Sequence, residues 1–116
     1  MRKIFLALFL ILVFPAVSYC AEIPYNYNSL EKDIAEIREM ENAEVFSIGQ
    51  SEYGREIYAV KVGKGESIAI MLGTAHAREW INSALLADMM KDYINAYNNY
   101  ENIGNYYARE ILDNCS

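Results

Sequence analysis

The stretch Ile68–Trp80, which reads IAIMLGTAHAREW, decides how this chain of 116 residues folds. Its first five residues are apolar without a break, and we expect a strand over Ser67–Leu72, in the middle of a covered sheet. The residues Gly73-Thr74-Ala75 are small and suit a loop, and an apolar helical pattern follows over about Glu79–Asn98. Strand, short loop and helix in this order predict an α/β protein.

His76 and Glu79 lie at the junction of this predicted strand and helix, three residues apart. Binding sites of open α/β sheets form where strands end and helices begin. Residues at i and i+3 are neighbours in a helical turn, and the helix dipole favours a carboxylate in the first turn. An imidazole and a carboxylate so placed can supply two ligands to one zinc ion. The alternative is that His76, like most lone histidines, is a hydrogen-bonded structural residue.

The chain has no second imidazole for a third zinc ligand, because His76 is its only histidine. In the helical H-E-x-x-H pattern the glutamate between the histidines is a base. Glu79 instead follows its histidine at +3, which favours a ligand over a general base. Arg78 can meet an anionic substrate or pair with a surface acid. Trp80 suits core packing better than a substrate platform.

Upstream and downstream patterns predict a partial mixed sheet with flanking helices. Apolar residues at helical spacing predict a helix over Ser29–Met40, capped by Asn28 or Ser29. The residues Val45–Gly49 and the alternating run Arg55–Val62 predict two strands, and the short turn between them indicates a hairpin. A further short helix is expected over Tyr106–Leu112.

The first residues have the layout of a secretory signal peptide. Arg2-Lys3 is a cationic start, Ile4–Phe14 is apolar, and small residues follow. We predict a signal peptide over residues 1–20, a domain over residues 21–116, and a secreted or cell-envelope protein. A lone membrane anchor is the alternative, although the apolar run is shorter than a spanning helix needs. Cleavage after Ser18 or after Cys20 fits, and lipid attachment at Cys20 is a minority interpretation.

Charge and cysteine content narrow the classes of partner. The net charge is −6, and removal of Arg2 and Lys3 with the signal would leave 8 basic against 16 acidic residues, or −8. This argues against binding to nucleic acid or to anionic membrane surfaces. Two cysteines, Cys20 and Cys115, do not make a disulfide framework. No G-x-S-x-G elbow and no phosphate-binding glycine loop is present in the sequence.

Four stretches, in order along the chain, resemble the zinc metallocarboxypeptidase family, the carboxypeptidase A-like peptidases. Tyr25–Ile34 looks like the family's first helix, and Ser47–Ile57 looks like its early hairpin. Ile70–Gly73 is similar to the strand before the site, and His76–Ile81 is similar to the first zinc motif. The last stretch is specific, and the four together are a stronger signal than any one.

The resemblance implies that His76 and Glu79 are the first two zinc ligands and that Arg78 lines the substrate approach. It implies hydrolysis of a C-terminal bond in a peptide or protein substrate. The family's third zinc ligand, oxyanion arginine and general-base glutamate lie downstream of the part that this chain matches. We therefore expect a truncated N-terminal part of the fold, poorly active or inactive alone. The alternative is an exported, non-catalytic binding module that retains His76 and Glu79 as a vestige of a zinc site.

Overall fold

The computed structural model describes residues 24–116. The predicted signal peptide, residues 1–20, lies outside the described residues, so the domain boundary stays a prediction. The described part is mixed α/β, as predicted, with two small sheets and helices beside them. Its elements, in chain order, are α1 (Tyr27–Arg38), β1 (Ala43–Gln50), β2 (Glu56–Val62), α2 (Trp80–Asn99), β3 (Asn102–Ile103), β4 (Tyr106–Tyr107) and α3 (Ala108–Leu112).

The first helix begins two residues earlier than predicted. Asn26 is the N-cap, with extended backbone, and its side-chain oxygen accepts a hydrogen bond of 3.1 Å from the Ser29 N–H. The prediction of a cap at Asn28 or Ser29 is therefore wrong, because the carboxamide of Asn26 satisfies the exposed N–H group first. Ile34 and Ile37 are buried, as their helical spacing predicts.

The predicted hairpin is confirmed. β1 and β2 pair antiparallel, and the register shifts between Ser47 and Gly49, so that Ile48 is the extra residue of a β-bulge. The connecting turn is closed by a hydrogen bond of 2.8 Å from the Ser51 N–H to the Arg55 carbonyl oxygen. The hairpin forms a sheet of its own in the part of the chain that the structure describes.

The strand expected over Ser67–Leu72 does not form. Ser67 makes one isolated parallel bridge, to Cys115, and the segment beyond it carries no strand pairing. The side chains of Ile68, Ile70 and Leu72 are 75%, 88% and 80% exposed. The prediction of a covered central strand is wrong because, among residues 24–116, no second strand runs beside this segment and no helix covers its faces.

α2 confirms the predicted long helix to within one residue at each end. Its C-terminal half enters the core, where Ile94 is fully buried and Tyr97 is 2% exposed. Its N-terminal half is only partly covered, since Ile81 and Leu85 are more than half exposed. The wide apolar face that the sequence predicts is therefore packed along part of its length.

The segment after α2 is more irregular than predicted. A helix was expected over Tyr106–Leu112, but Tyr106 and Tyr107 pair with β3 in a two-residue ladder around Gly104, and the helix begins at Ala108. The core of the described residues lies where this segment meets α1, β2 and α2, and its buried members are Ile37, Val62, Ile94, Tyr97 and Leu112. Within residues 24–116, no helix is long and apolar enough to cross a membrane.

An ionic cluster joins α1 to α2. The Lys91 ammonium group donates hydrogen bonds to Asp33 at 2.7 Å and to Glu36 at 2.8 Å. These bonds raise the pKa of Lys91 to about 12. Partial burial alone would raise the pKa of Asp33, but hydrogen bonds from Lys91 and Tyr25 outweigh it and hold that pKa below its ordinary value of 3.8. The cluster therefore stabilises the folded state with Lys91 and Asp33 both charged.

We expect Lys91→Met to lower the free energy of unfolding at pH 7 by about 1 kcal/mol. Because the pKa of Asp33 is lower in the folded state, its contribution is present above the ordinary pKa of 3.8 and is lost as pH falls through the folded value. The urea concentration at the unfolding midpoint of the parent chain should therefore fall below about pH 4. This fall should be smaller in Lys91→Met. Lys61→Met, at an exposed lysine of β2, is the control. Identical pH profiles for the parent and Lys91→Met would contradict the role of this cluster.

Candidate functional site

The candidate site is the loop between the extended segment and α2, residues 73–79. Gly73 lies against the first turns of α2, where an added Cβ would fall 2.9 Å from Leu86 Cδ1 and 3.3 Å from the Asn82 carbonyl oxygen. A side chain there would meet the movable end of Leu86 and crowd the backbone of the first turn. The glycine thus brings the loop close enough to the helix to make hydrogen bonds with its first turn.

His76 and Glu79 are joined in one closed turn. The Glu79 N–H donates a hydrogen bond of 2.9 Å to the His76 carbonyl oxygen. Glu79 is the N-cap residue of α2, one residue before the predicted position in the first turn, and its side chain makes no capping hydrogen bond. The imidazole is exposed, and Glu79 is half-buried. The turn brings the backbones of the two residues together in space, and their role as ligands stays a prediction.

The donor chemistry of this turn fits part of a zinc site. Zinc takes imidazole nitrogen and carboxylate oxygen as ligands at about 2.0–2.2 Å, and a third protein ligand is the rule. No group of three or more His, Cys, Asp and Glu side chains within residues 24–116 is arranged to hold a metal ion. His76 and Glu79 are therefore two candidate ligands, and a complete site would need a donor from elsewhere.

Arg78 and Trp80 flank Glu79 with different surroundings. Arg78 is exposed, and in the described part of the chain it forms no ion pair. Trp80 is half-buried and lines a cavity of about 300 Å³. The other lining residues are Tyr25, Asn26, Tyr27, Leu30, Arg55, Thr74, Ala77 and Ser83. Trp80 thus contributes to a wall between the loop and the start of α1, which agrees better with packing than with a free aromatic platform.

Thr74 is a residue of this site that the sequence interpretation missed. Its φ is +54°, and its hydroxyl group donates a hydrogen bond of 2.9 Å to the Glu79 carbonyl oxygen. The same hydroxyl lies 2.6 Å from Ser83 Oγ. Nothing in the sequence indicated this, because a threonine in a small, permissive stretch has no pattern that distinguishes it from a plain linker.

The fold and the loop together define a mixed α/β protein with a histidine–glutamate turn at the start of a long helix. A family model, described as zinc carboxypeptidase, matches residues 30–115. The chain belongs to the zinc carboxypeptidase family. No curated protein and no solved structure matches it significantly.

Proposed function

We propose that this chain carries the first two zinc ligands, His76 and Glu79, of a metallocarboxypeptidase that hydrolyses C-terminal peptide bonds. One observation carries the proposal: in a member of the zinc carboxypeptidase family, both residues lie in a single closed turn. The Glu79 side chain is not used for capping, so its carboxylate is available to a metal.

Each residue of the turn has a distinct part in the proposal. When bound, zinc polarises the scissile carbonyl group and lowers the pKa of a water molecule. The imidazole of His76 and the carboxylate of Glu79 would hold the metal, and the negative charge of Glu79 would offset part of its positive charge. The exposed guanidinium group of Arg78 attracts an anionic peptide terminus. Glu79 is a ligand in this arrangement and is not the base that takes a proton from water.

Turnover needs a third zinc ligand, and no group of three or more His, Cys, Asp and Glu side chains within residues 24–116 is arranged to hold a metal ion. A general base and a donor for the oxyanion are further requirements of the reaction. We therefore propose that the chain alone binds zinc weakly and does not turn over peptide.

We also propose that the protein acts outside the cytoplasm. Cell fractionation, with the intact mass of the chain in each fraction, tests this proposal. A chain with an unprocessed N-terminus in the cytoplasmic fraction would count against it.

Zinc binding can be followed at one unambiguous resonance, because His76 is the only histidine. We expect zinc to shift the imidazole ring signals of His76 in a saturable titration by NMR. Glu79→Gln should weaken this binding by at least about tenfold, because an amide is a poorer zinc ligand than a carboxylate. Glu101→Gln, at an exposed glutamate outside the site, is the charge-matched control and should leave the titration unchanged.

A peptidase assay with added zinc completes the test. We expect no release of C-terminal residues by the isolated chain. Turnover that His76→Ala abolishes would show that this chain is a competent enzyme, contrary to the proposal. Absence of any His76 response to zinc would overturn the ligand assignment and favour the non-catalytic binding module.

A further inference from the structure

We propose that Thr74 is a positioning residue for the zinc-binding turn, and that its hydroxyl group holds the backbone of Glu79 in place. This inference rests on the proposed function, since it concerns the same turn. Thr74 touches neither a metal nor a substrate in the proposal. It acts through Glu79.

The backbone of Thr74 is the first observation. Three non-glycine residues among those described have positive φ, namely Asn42, Thr74 and Tyr100. Asparagine is one of the residue types that adopt this region most readily, and Tyr100 follows the end of α2, where the left-handed conformation commonly terminates a helix. Thr74 has neither reason. A β-branched residue in this conformation is strained, and such strain persists only when surrounding contacts impose it.

The hydroxyl contacts of Thr74 are the second observation. A hydroxyl group has one proton, so a Thr74 hydroxyl that donates to the Glu79 carbonyl oxygen must accept the proton of the Ser83 hydroxyl. The chain of bonds therefore runs from Ser83 through Thr74 to Glu79. Thr74 and Ser83 are both half-buried, which shields these bonds from competing water.

The consequence concerns Glu79, whose peptide groups are held on both sides. Its N–H donates to His76, and its carbonyl oxygen accepts from Thr74 and, at 2.9 Å, from the Asn82 N–H. These bonds limit rotation of the backbone that carries the carboxylate, while the carboxylate itself makes no capping bond. The strained conformation of Thr74 is thus explained as the cost of orienting a ligand-bearing residue before a metal arrives.

Three substitutions separate the hydroxyl group from the backbone strain. Thr74→Val removes the hydroxyl and keeps the shape, so zinc affinity, read from the His76 ring signals, should fall by about tenfold, the lower end of the range for residues that orient ligands. Thr74→Ser keeps the hydroxyl and should retain the parent affinity. Thr74→Gly relieves the strain at positive φ, so it should lose affinity without losing thermal stability.

A second measurement needs no metal. The Glu79 amide hydrogen bonds to His76, so its hydrogen exchange reports on closure of the turn. We expect exchange to accelerate in Thr74→Val and Thr74→Gly and to stay at the parent rate in Thr74→Ser. Asn42→Gly is the matched control, because it changes a residue of similar φ far along the chain from the turn, and it should alter neither Glu79 exchange nor zinc affinity.

The outcomes distinguish this inference from the proposed function. If Glu79 exchange responds to the hydroxyl as expected but no variant and no parent chain binds zinc, Thr74 holds the turn and the zinc function fails. If the parent binds zinc and Thr74→Val matches it in both affinity and Glu79 exchange, the positioning role is overturned while the zinc function stands. Equal losses in Thr74→Val and Thr74→Ser would also overturn it, because the hydroxyl would then not be the cause.

Discussion

Replacing Ile94 with alanine is expected to lower the free energy of unfolding by about 2–5 kcal/mol. Ile94 is 0% exposed and lies in α2, where it packs in the cluster of Ile37, Val62, Tyr97 and Leu112. The alanine would remove three buried carbon atoms and leave a cavity between α1, β2 and α2, and close-packed neighbours collapse into such a space only partly. Domains of this size are marginally stable, so the loss is a large fraction of the total.

Urea unfolding followed by circular dichroism measures this loss as a lower midpoint. Leu85→Ala is the control, because Leu85 lies on the same helix but is 56% exposed. It should change stability by less than about 1 kcal/mol, since alanine is a strong helix former and little buried surface is removed. Equal destabilisation by the two variants would contradict the placement of the core on the C-terminal half of α2.

Replacing Gly65 with alanine is expected to destabilise the chain by about 3 kcal/mol. The new Cβ would overlap the Asn114 carbonyl carbon and the Cys115 nitrogen. These are backbone atoms, so no side-chain rotation relieves the overlap, and overpacking of this kind typically costs about 1–3 kcal/mol. Separation of the segment around Gly65 from the C-terminal residues would also break backbone hydrogen bonds, each worth about 1 kcal/mol. These run from Lys64 to Leu112 at 2.7 Å, from Ser116 to Ser67 at 2.8 Å and from Ala69 to Ser116 at 3.0 Å.

Hydrogen exchange of the Lys64, Ala69 and Ser116 amides measures this separation directly. We expect all three to exchange faster in Gly65→Ala, together with a lower urea midpoint. Gly73→Ala is the comparison variant, because its nearest contact is the end of the flexible Leu86 side chain, at 2.9 Å. It should be the milder of the two. Unchanged protection of the three amides in Gly65→Ala would contradict the close approach of the chain end to Gly65.

The elements that sequence patterns predicted correctly depend on neighbours along the chain. Helical spacing of apolar residues found α1 and α2, and alternation found the hairpin of β1 and β2. The boundaries were predicted less accurately. The cap of α1 is the residue whose side chain accepts the hydrogen bond from the Ser29 N–H, and that residue is Asn26. Which side chain accepts this bond depends on local backbone geometry that a pattern of residue types does not contain.

The candidate ligands and Arg78 are nominated by the sequence alone, and their roles stay predictions. His76, Arg78 and Glu79 stand at the junction of an apolar run and a helix, which indicates a binding position in an α/β fold. Thr74 could not be found in this way. Its part depends on a positive φ and on hydroxyl contacts to Glu79 and Ser83, and neither property follows from residue type or spacing.

The segment Ser67–Leu72 shows where local pattern and tertiary structure diverge. Its apolar run predicts a buried strand, but a strand is made by partners on its edges, and Ser67 alone is bridged, to Cys115. Helices and hairpins close their hydrogen bonds between near neighbours, so residue order was enough to predict them. Strand pairing and the orientation of Glu79 depend on atoms brought together from distant or strained parts of the chain, so only the folded backbone decided them.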